Sequence, residues 1–227
     1  FLNITGEAEL LTAVRRCFAS LFTDRAISYR TEKGFGHSEV SISVGVQKMV
    51  RSDVASAGVM FTIDTETGFP HLVMIDGSWG LGESVVAGKV TPDSFRVFKP
   101  LLKGDFRPII DKTLGDKLTK IVYARGQAAP VAEVETTEEE RGRFVLEDHE
   151  VLELARWARV IEEHYGGAMD IEWAKDGRSG ELFVVQARPE TVRSRESGHR
   201  LKSYRLTGTG ERLCEGLAIG NAIATGK

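Results

Sequence analysis

Cysteine is almost absent: two in 227 residues, Cys17 and Cys214. They match no zinc or redox spacing, which excludes a disulfide scaffold and a cysteine-ligated metal module. With no secretory leader in view, the expectation is two reduced thiols in a cytoplasmic protein. Proline is scarce, at 6 residues, and the composition of 41% hydrophobic and 28% charged residues is that of an ordinary globular chain. It excludes an intrinsically disordered or collagen-like chain. No apolar run approaches the ~20 residues that span a bilayer, so no membrane segment is expected. Charge of one sign is also missing. Thirty basic residues face 33 acidic ones, for a net charge of -3, which argues against a nucleic-acid partner. Several catalytic signatures are absent: G-x-S-x-G, H-E-x-x-H, Walker A and the G-x-G-x-x-G fingerprint. His37, His71, His149, His164 and His199 lack metal spacing and read as surface or packing residues.

What is present is an alternation of helix and strand patterns. Leu10, Val14, Cys17, Phe18 and Leu21 recur at helical spacing within 7–23 and predict a core-facing stripe. Asp24 to Arg30 extends that helix toward the break at Gly34-Phe35-Gly36. Val40, Ile42, Val44 and Val46 alternate with polar or small residues and predict a strand over 40–47. Gly58 to Asp64 and Leu72 to Ile75 predict two more, and 94–110 carries further strand-like pattern. A long helix is expected within 137–165, opened by a Thr137/Glu140 capping box and closed at Gly166-Gly167. Its apolar stripe is Val151, Leu154, Ala155, Ala158, Ile161 and Tyr165. Met169 to Ala174 and Leu182 to Arg188 read as a hairpin around Asp176-Gly177 and Gly180. Beyond Pro189 the chain turns basic and poor in apolar residues, which predicts a linker over 192–200 and a new unit from 201. The start at Phe1 and the end within a Gly/Ala-rich stretch suggest a piece of something longer.

The hairpin carries the most chemistry. Asp170 and Glu172 share one face of the first strand; Gln186 and Arg188 share a face of the second. Carboxylate and amide oxygens suit Mg²⁺, and a guanidinium suits a polyphosphate oxygen. The same pattern also fits an edge hairpin whose polar residues face water. Ser52 to Gly58 and Gly77 to Glu83 can cradle phosphate through backbone N–H groups, or be ordinary connections.

Several strings together resemble one family. SVGVQKMVRSDVASAGVMFTIDTETGF, GLGESVVAGKVTPD, MDIEWAKDG and VVQARPET are similar to the phosphoenolpyruvate synthase (pyruvate, water dikinase) family, in its order. The tail GLAIGNAIATGK resembles the opening of that family's phosphohistidine domain. The resemblance implies an α+β fold, an ATP-grasp-like lobe with an antiparallel sheet flanked by helices. It implies three segments: the C-terminal portion of the nucleotide domain over 1–191, the linker, and a truncated phosphohistidine domain over 201–227. It further implies ATP and Mg²⁺ as cofactors and ATP and pyruvate as small-molecule substrates, and it leaves a homodimer open. Phosphoenolpyruvate, AMP and phosphate would be the products. Carried over by position, Glu172 and Gln186 are the metal ligands, with Asp170 as a supporting ligand, and Arg188 is the catalytic contact to the γ-phosphate. Gln47, Lys48, Met49 and Val50 form the adenine hinge, and Ser52 to Gly58, with Ser56 and Gly58, forms a mobile loop over the phosphates. The family's upstream phosphate-binding half and its phosphoryl-accepting histidine have no counterpart in this sequence, so the chain alone is expected to be inactive. Two rivals share these strings: another dikinase-like phosphotransferase, such as a pyruvate phosphate dikinase or antibiotic phosphotransferase, and a non-catalytic nucleotide-sensing module.

One structural expectation is sharp. An unbulged hairpin that closes on its glycines places Lys175 opposite Glu181, Glu172 opposite Val184, Asp170 opposite Gln186 and Ala168 opposite Arg188. Met169, Ile171 and Trp173 would then pack on the far face with Phe183 and Val185.

Overall fold

The structure, a computed structural model, describes residues 1–104, 106–124, 131–191 and 210. The expected linker and the expected third segment lie outside the described residues, apart from Gly210. The described residues fall into two compact units. Phe1–Val50 with Val122–Ala132 make the first; Arg51–Ile121 with the described residues from Glu133 onward make the second.

The first unit is helical. α1 (Gly6–Ala19) runs into a short 3-10 turn, and α2 (Asp24–Lys33) starts afresh. One continuous helix was expected; Thr23 breaks it. Its backbone is extended and its hydroxyl accepts the Ala26 N–H, so it caps a new helix. Gly34, at φ +74°, closes α2 in the left-handed conformation that glycine adopts without strain. The predicted stripe is only partly covered: Leu10, Val14, Cys17 and Leu21 are half-buried, and Phe18 is exposed. The strand expected over 40–47 does not form among the described residues, where the segment has no regular structure. Alternation supplies a face, but a strand needs a neighbour to take its N–H and C=O groups.

The second unit is an antiparallel six-stranded sheet flanked by helices, the α+β architecture expected from the sequence. Its strands are β1 (Ser56–Phe61), β2 (Leu72–Trp79), β3 (Asp93–Phe98), β4 (Ile109–Thr113), β7 (Met169–Lys175) and β8 (Leu182–Pro189), in spatial order β4-β3-β2-β1-β7-β8. β5 (Thr119–Tyr123) and β6 (Val131–Glu135) pair separately. Among its described residues the helices are α3 (Glu83–Val86), α4 (Glu138–Arg141) and α5 (Asp148–Tyr165).

One face of the large sheet is the core. Ile171, Met60, Ile75 and Phe95 form a row across four strands, with Val73, Val97, Met169 and Trp173 around them. α5 lays Val151, Leu154, Ala155 and Ala158 onto this face, the stripe read from its periodicity, while Tyr165 stays exposed. Trp173 lies against Gly77, where an added Cβ would stand 2.7 Å from its Cζ2. Glycine there makes room for the indole.

The helix expected over 137–165 is two helices. The Thr137/Glu140 capping box forms as read, but α4 ends at Gly142. The chain then dives into the core. Val145 and Leu146 are buried, Val145 N–H donates to Asp93 Oδ2, and Val145 O accepts from Ser56 Oγ. A second capping box, Glu147 with Glu150, starts α5, and Gly166 ends it. Burial of two apolar side chains overrides local helix propensity.

The hairpin register differs from the expectation. Lys175 faces Leu182 and Trp173 faces Val184; a bulge at Val185 then shifts the ladder. Beyond it Glu172 faces Gln186, Ile171 faces Ala187 and Asp170 faces Arg188. A bulge adds one residue to one strand, and strict alternation cannot foresee it. Leu182 and Val184 therefore lie on the Trp173 face, and Phe183, expected in the core, is exposed on the other.

Candidate nucleotide site on the exposed sheet face

The sheet face opposite α5 carries the polar residues of β7 and β8. Asp170 and Glu172 alternate with the buried Met169, Ile171 and Trp173, so burial of one set fixes the outward direction of the other. The bulge brings Gln186 and Arg188 to that same face. Two cross-strand pairs result, side by side. Gln186 Nε2 donates to Glu172 Oε1 at 3.3 Å, and Arg188 Nε donates to Asp170 Oδ2 at 2.8 Å, with Nη2 of the same guanidinium 2.7 Å from that oxygen in an ion pair. The hydrogen bond and charge of Asp170 hold the Arg188 guanidinium even more firmly protonated than usual. Arg188 remains 62% exposed while Asp170 is only 14% exposed. A mostly exposed guanidinium aimed by a largely covered carboxylate can meet an incoming anion without first being dug out of the core.

The donor set fits a hard cation. Glu172 offers carboxylate oxygens, and Gln186, with its amide turned over, offers a carbonyl oxygen directly opposite. Among the described residues no group of three His, Cys, Asp or Glu side chains converges. A pair of protein oxygens such as Glu172 and Gln186 is the number that a Mg²⁺ site commonly takes from protein, with water and phosphate oxygens completing the shell.

The other sequence candidates lie on other segments. Gln47 to Val50 belong to the first unit, where they have no regular structure; Gln47 and Lys48 are exposed, Met49 and Val50 half-buried. Ser56 and Gly58 lie on β1 but point to the helix side. The Ser56 hydroxyl is fully buried and donates to Val145 O at 3.2 Å. At Gly58 a Cβ would lie 1.9 Å from Asp76 O, so this glycine serves strand packing. The segment expected to cover the phosphates begins with a turn. Ser52–Val54 forms a 3-10 turn with Ser52 and Asp53 buried, and Arg51 forks onto Asp53 through Nε and Nη2, both at 2.7 Å. In the glycine-rich segment, the Gly80 and Leu81 amides are taken by Ala55 O and Ile121 O. Those two amides join backbone segments and are not presented to an anion.

Sequence reasoning missed the inner part of the face. Val59 of β1 faces both Glu172 and Asp76, and Asp76 faces Ser94. Gln186, Glu172, Val59, Asp76 and Ser94 thus form one row. Burial pushes the Asp76 carboxyl upward, against a hydrogen bond from Ser94 and the charge of Arg96. The signal was present: in LVMIDGSW an aspartate interrupts an apolar strand. Also unforeseen was the fully buried Asp93–Lys117 ion pair.

No helix among the described residues is long and apolar enough to cross a membrane. The family "Pyruvate phosphate dikinase, AMP/ATP-binding domain" matches residues 1–207. The whole chain is 53% identical to a phosphoenolpyruvate synthase of Synechocystis sp. and 52% identical to one of Escherichia coli, covering 28% of each. It is 42% identical to a probable phosphoenolpyruvate synthase of Methanothermobacter thermautotrophicus, covering 31% of that protein. The chain therefore spans under a third of the length of these relatives.

Proposed function

The chain belongs to the pyruvate phosphate dikinase AMP/ATP-binding domain family, and from that premise we propose that it is the ATP-binding part of a phosphoenolpyruvate synthase. That enzyme converts ATP, pyruvate and water to phosphoenolpyruvate, AMP and phosphate through a phosphohistidine. The observation that carries the reading is the pair of polar couples, Glu172–Gln186 and Asp170–Arg188, side by side on one exposed sheet face. Glu172 and Gln186 would hold Mg²⁺, with Asp170 in support; the ion, when bound, neutralises phosphate charge and aligns the chain of phosphates. Arg188 exchanges its Asp170 partner for an oxygen of the γ-phosphate and stabilises the charge that develops there. Asp170 keeps the guanidinium aimed before the nucleotide arrives. Gln47, Lys48, Met49 and Val50 would receive the adenine, partly through backbone groups. The nucleotide portion would end near Thr191, with a linker over 192–200 and the start of the phosphohistidine domain from 201. The enzyme would work in the cytoplasm, and a homodimer fits the reading.

The test is pyruvate-dependent formation of AMP from ATP by the full-length protein. Glu172→Gln should lower that rate at least ~100-fold, since it removes the one fully charged ligand proposed for the ion that neutralises the phosphates, and electrostatic stabilisers of that kind contribute about that much in a preorganised site. AMP formation within threefold of the unsubstituted protein would overturn the assignment.

A further inference from the structure

The row Gln186–Glu172–Val59–Asp76–Ser94 lies wholly within the second unit. Its inner half, Val59, Asp76 and Ser94, takes no part in holding the metal or the γ-phosphate. Neighbouring strands stand about 4.8 Å apart, so with Val59 between them Glu172 and Asp76 are roughly 10 Å apart across the sheet. The next residue of β1 on this face, Ala57, is covered: at Gly82, the N-cap of α3, a Cβ would stand 3.5 Å from that of Ala57. The row is therefore walled on that side, while Val59, Asp76 and Ser94 are only half-buried. Ser94 holds the Asp76 carboxylate through a side-chain hydrogen bond, and Arg96 lends it positive charge. A carboxylate has about four acceptor sites, so one bond from Ser94 leaves most of that capacity unused. Two residues on, Ser78 shares the face and is buried, and its hydroxyl has no hydrogen-bond partner. Asp76 and Ser78 interrupt a strand that is otherwise Leu72, Val73, Met74 and Ile75. Burial works against the charge of Asp76, so a carboxylate stands here at a cost in stability that packing does not require.

We infer that Asp76 is a specificity-determining residue that accepts a ribose hydroxyl of the bound nucleotide. This rests on the reading that Arg188 meets the γ-phosphate and that Glu172 and Gln186 hold Mg²⁺. Those roles give the nucleotide a direction. Arg188 stands on β8, the edge strand, and the step from it to Glu172 on β7 leads inward across the sheet. The phosphates thus end at the edge and the nucleoside lies over the inner strands. The next polar side chain along the row is that of Asp76, and its two-strand separation from Glu172 suits the reach from the metal-bound phosphates past the α-phosphate to the sugar. Val59, between them, competes for no hydrogen bond. The ribose diol offers two O–H donors, and an ionised carboxylate is purely an acceptor. A sugar hydroxyl returns to Asp76 part of the hydration that burial removes. The contact is with the sugar alone, so it separates ribonucleotides from deoxyribonucleotides and adds nothing to phosphate or metal binding.

Asp76→Ala and Asp76→Asn test it in the full-length protein; the second keeps the side-chain shape should the first fail to fold. Calorimetry follows the binding of MgATP, of its 2′-deoxy and 3′-deoxy analogues, and of magnesium tripolyphosphate. The unsubstituted protein should bind at least one deoxy analogue roughly tenfold to a hundredfold more weakly than MgATP, the value of one hydrogen bond to a charged group. Asp76→Ala should bring MgATP down to the affinity of that analogue. Asp76→Asn, which keeps one neutral acceptor, should fall between. Both variants should bind that analogue and tripolyphosphate within twofold of the unsubstituted protein. Equal affinity of the unsubstituted protein for MgATP and both analogues overturns the inference. So does an equal loss for MgATP and the analogues in the variants, which would mark damage to the site, and so does MgATP binding that neither variant changes. If the unsubstituted protein binds neither MgATP nor tripolyphosphate, the functional reading falls as well, whereas MgATP binding without discrimination at the ribose sinks the role of Asp76 alone.

Discussion

Replacing Asp93 by alanine should be among the most damaging single changes in the second unit. Its Oδ1 accepts the Gly115 N–H at 2.8 Å and the Lys117 ammonium; its Oδ2 accepts the Val145 N–H at 2.8 Å. Neither Asp93 nor Lys117 has any solvent-exposed surface. Alanine leaves two buried N–H groups without acceptors, apart from the ammonium. Lys117 keeps the Gly115 carbonyl at 3.0 Å but loses its counter-charge. Breaking one side of a buried pair costs about 3–5 kcal/mol, mostly because the survivor stays charged in a poor solvent. Urea unfolding followed by tryptophan fluorescence reads the loss as a lower midpoint at constant slope. The decisive comparison is Asp93→Ala with Asp93→Ala/Lys117→Met. Removing the orphaned charge should recover roughly 1–2 kcal/mol, although the two N–H groups stay unsatisfied. A single-variant loss under about 1 kcal/mol, or a double variant weaker than the single, would refute the reasoning.

Two further expectations follow from the sheet. Gly77→Ala sets a Cβ 2.7 Å from Trp173 Cζ2 and 3.0 Å from Val145 Cγ2, so the core must shift; a loss of about 1–3 kcal/mol by the same unfolding measurement is expected. Asp76→Asn should change the pH dependence of melting. Burial raises the Asp76 carboxyl above 3.8 in the folded state, so between that value and its raised one the folded protein binds more protons than the unfolded chain, and stability falls as pH climbs through the window. The asparagine variant should therefore melt higher than the unsubstituted protein near neutral pH, with the difference shrinking toward zero below the unfolded value; a difference that grows on acidification would contradict this.

Much of the hairpin was legible because burial and alternation speak the same language there. Met169, Ile171 and Trp173 are buried, which leaves Asp170 and Glu172 outward, as the alternation predicted. The glycines of the turn also fall where the loop closes. The register was not legible, since nothing in LFVVQAR announces that Val185 is the extra residue. Strict alternation grouped Leu182 and Val184 with Gln186 and Arg188, and the bulge parts them. The helix over 137–165 failed for a different reason. Periodicity continues through 142–147, but Asp93 and Ser56, each over fifty residues away in sequence, draw Val145 inward. Small residues in the Ser52 to Gly58 segment look the same whether they make a mobile cover or a packed turn. Neither the burial of Asp53 nor the Ser56 hydrogen bond to Val145 O is written in that composition.

Arg188 offers the most direct measurement of the central claim, that this sheet face receives the terminal phosphates of ATP. Binding of MgATP and of AMP is titrated by calorimetry in the full-length protein and in its Arg188→Gln variant. Glutamine removes the charge and the forked donors but keeps the strand position. AMP affinity should stay within twofold, and MgATP affinity should fall roughly tenfold to a hundredfold, the value of one charge-assisted contact to phosphate. Equal loss for AMP and ATP, or no loss for ATP, would contradict the account.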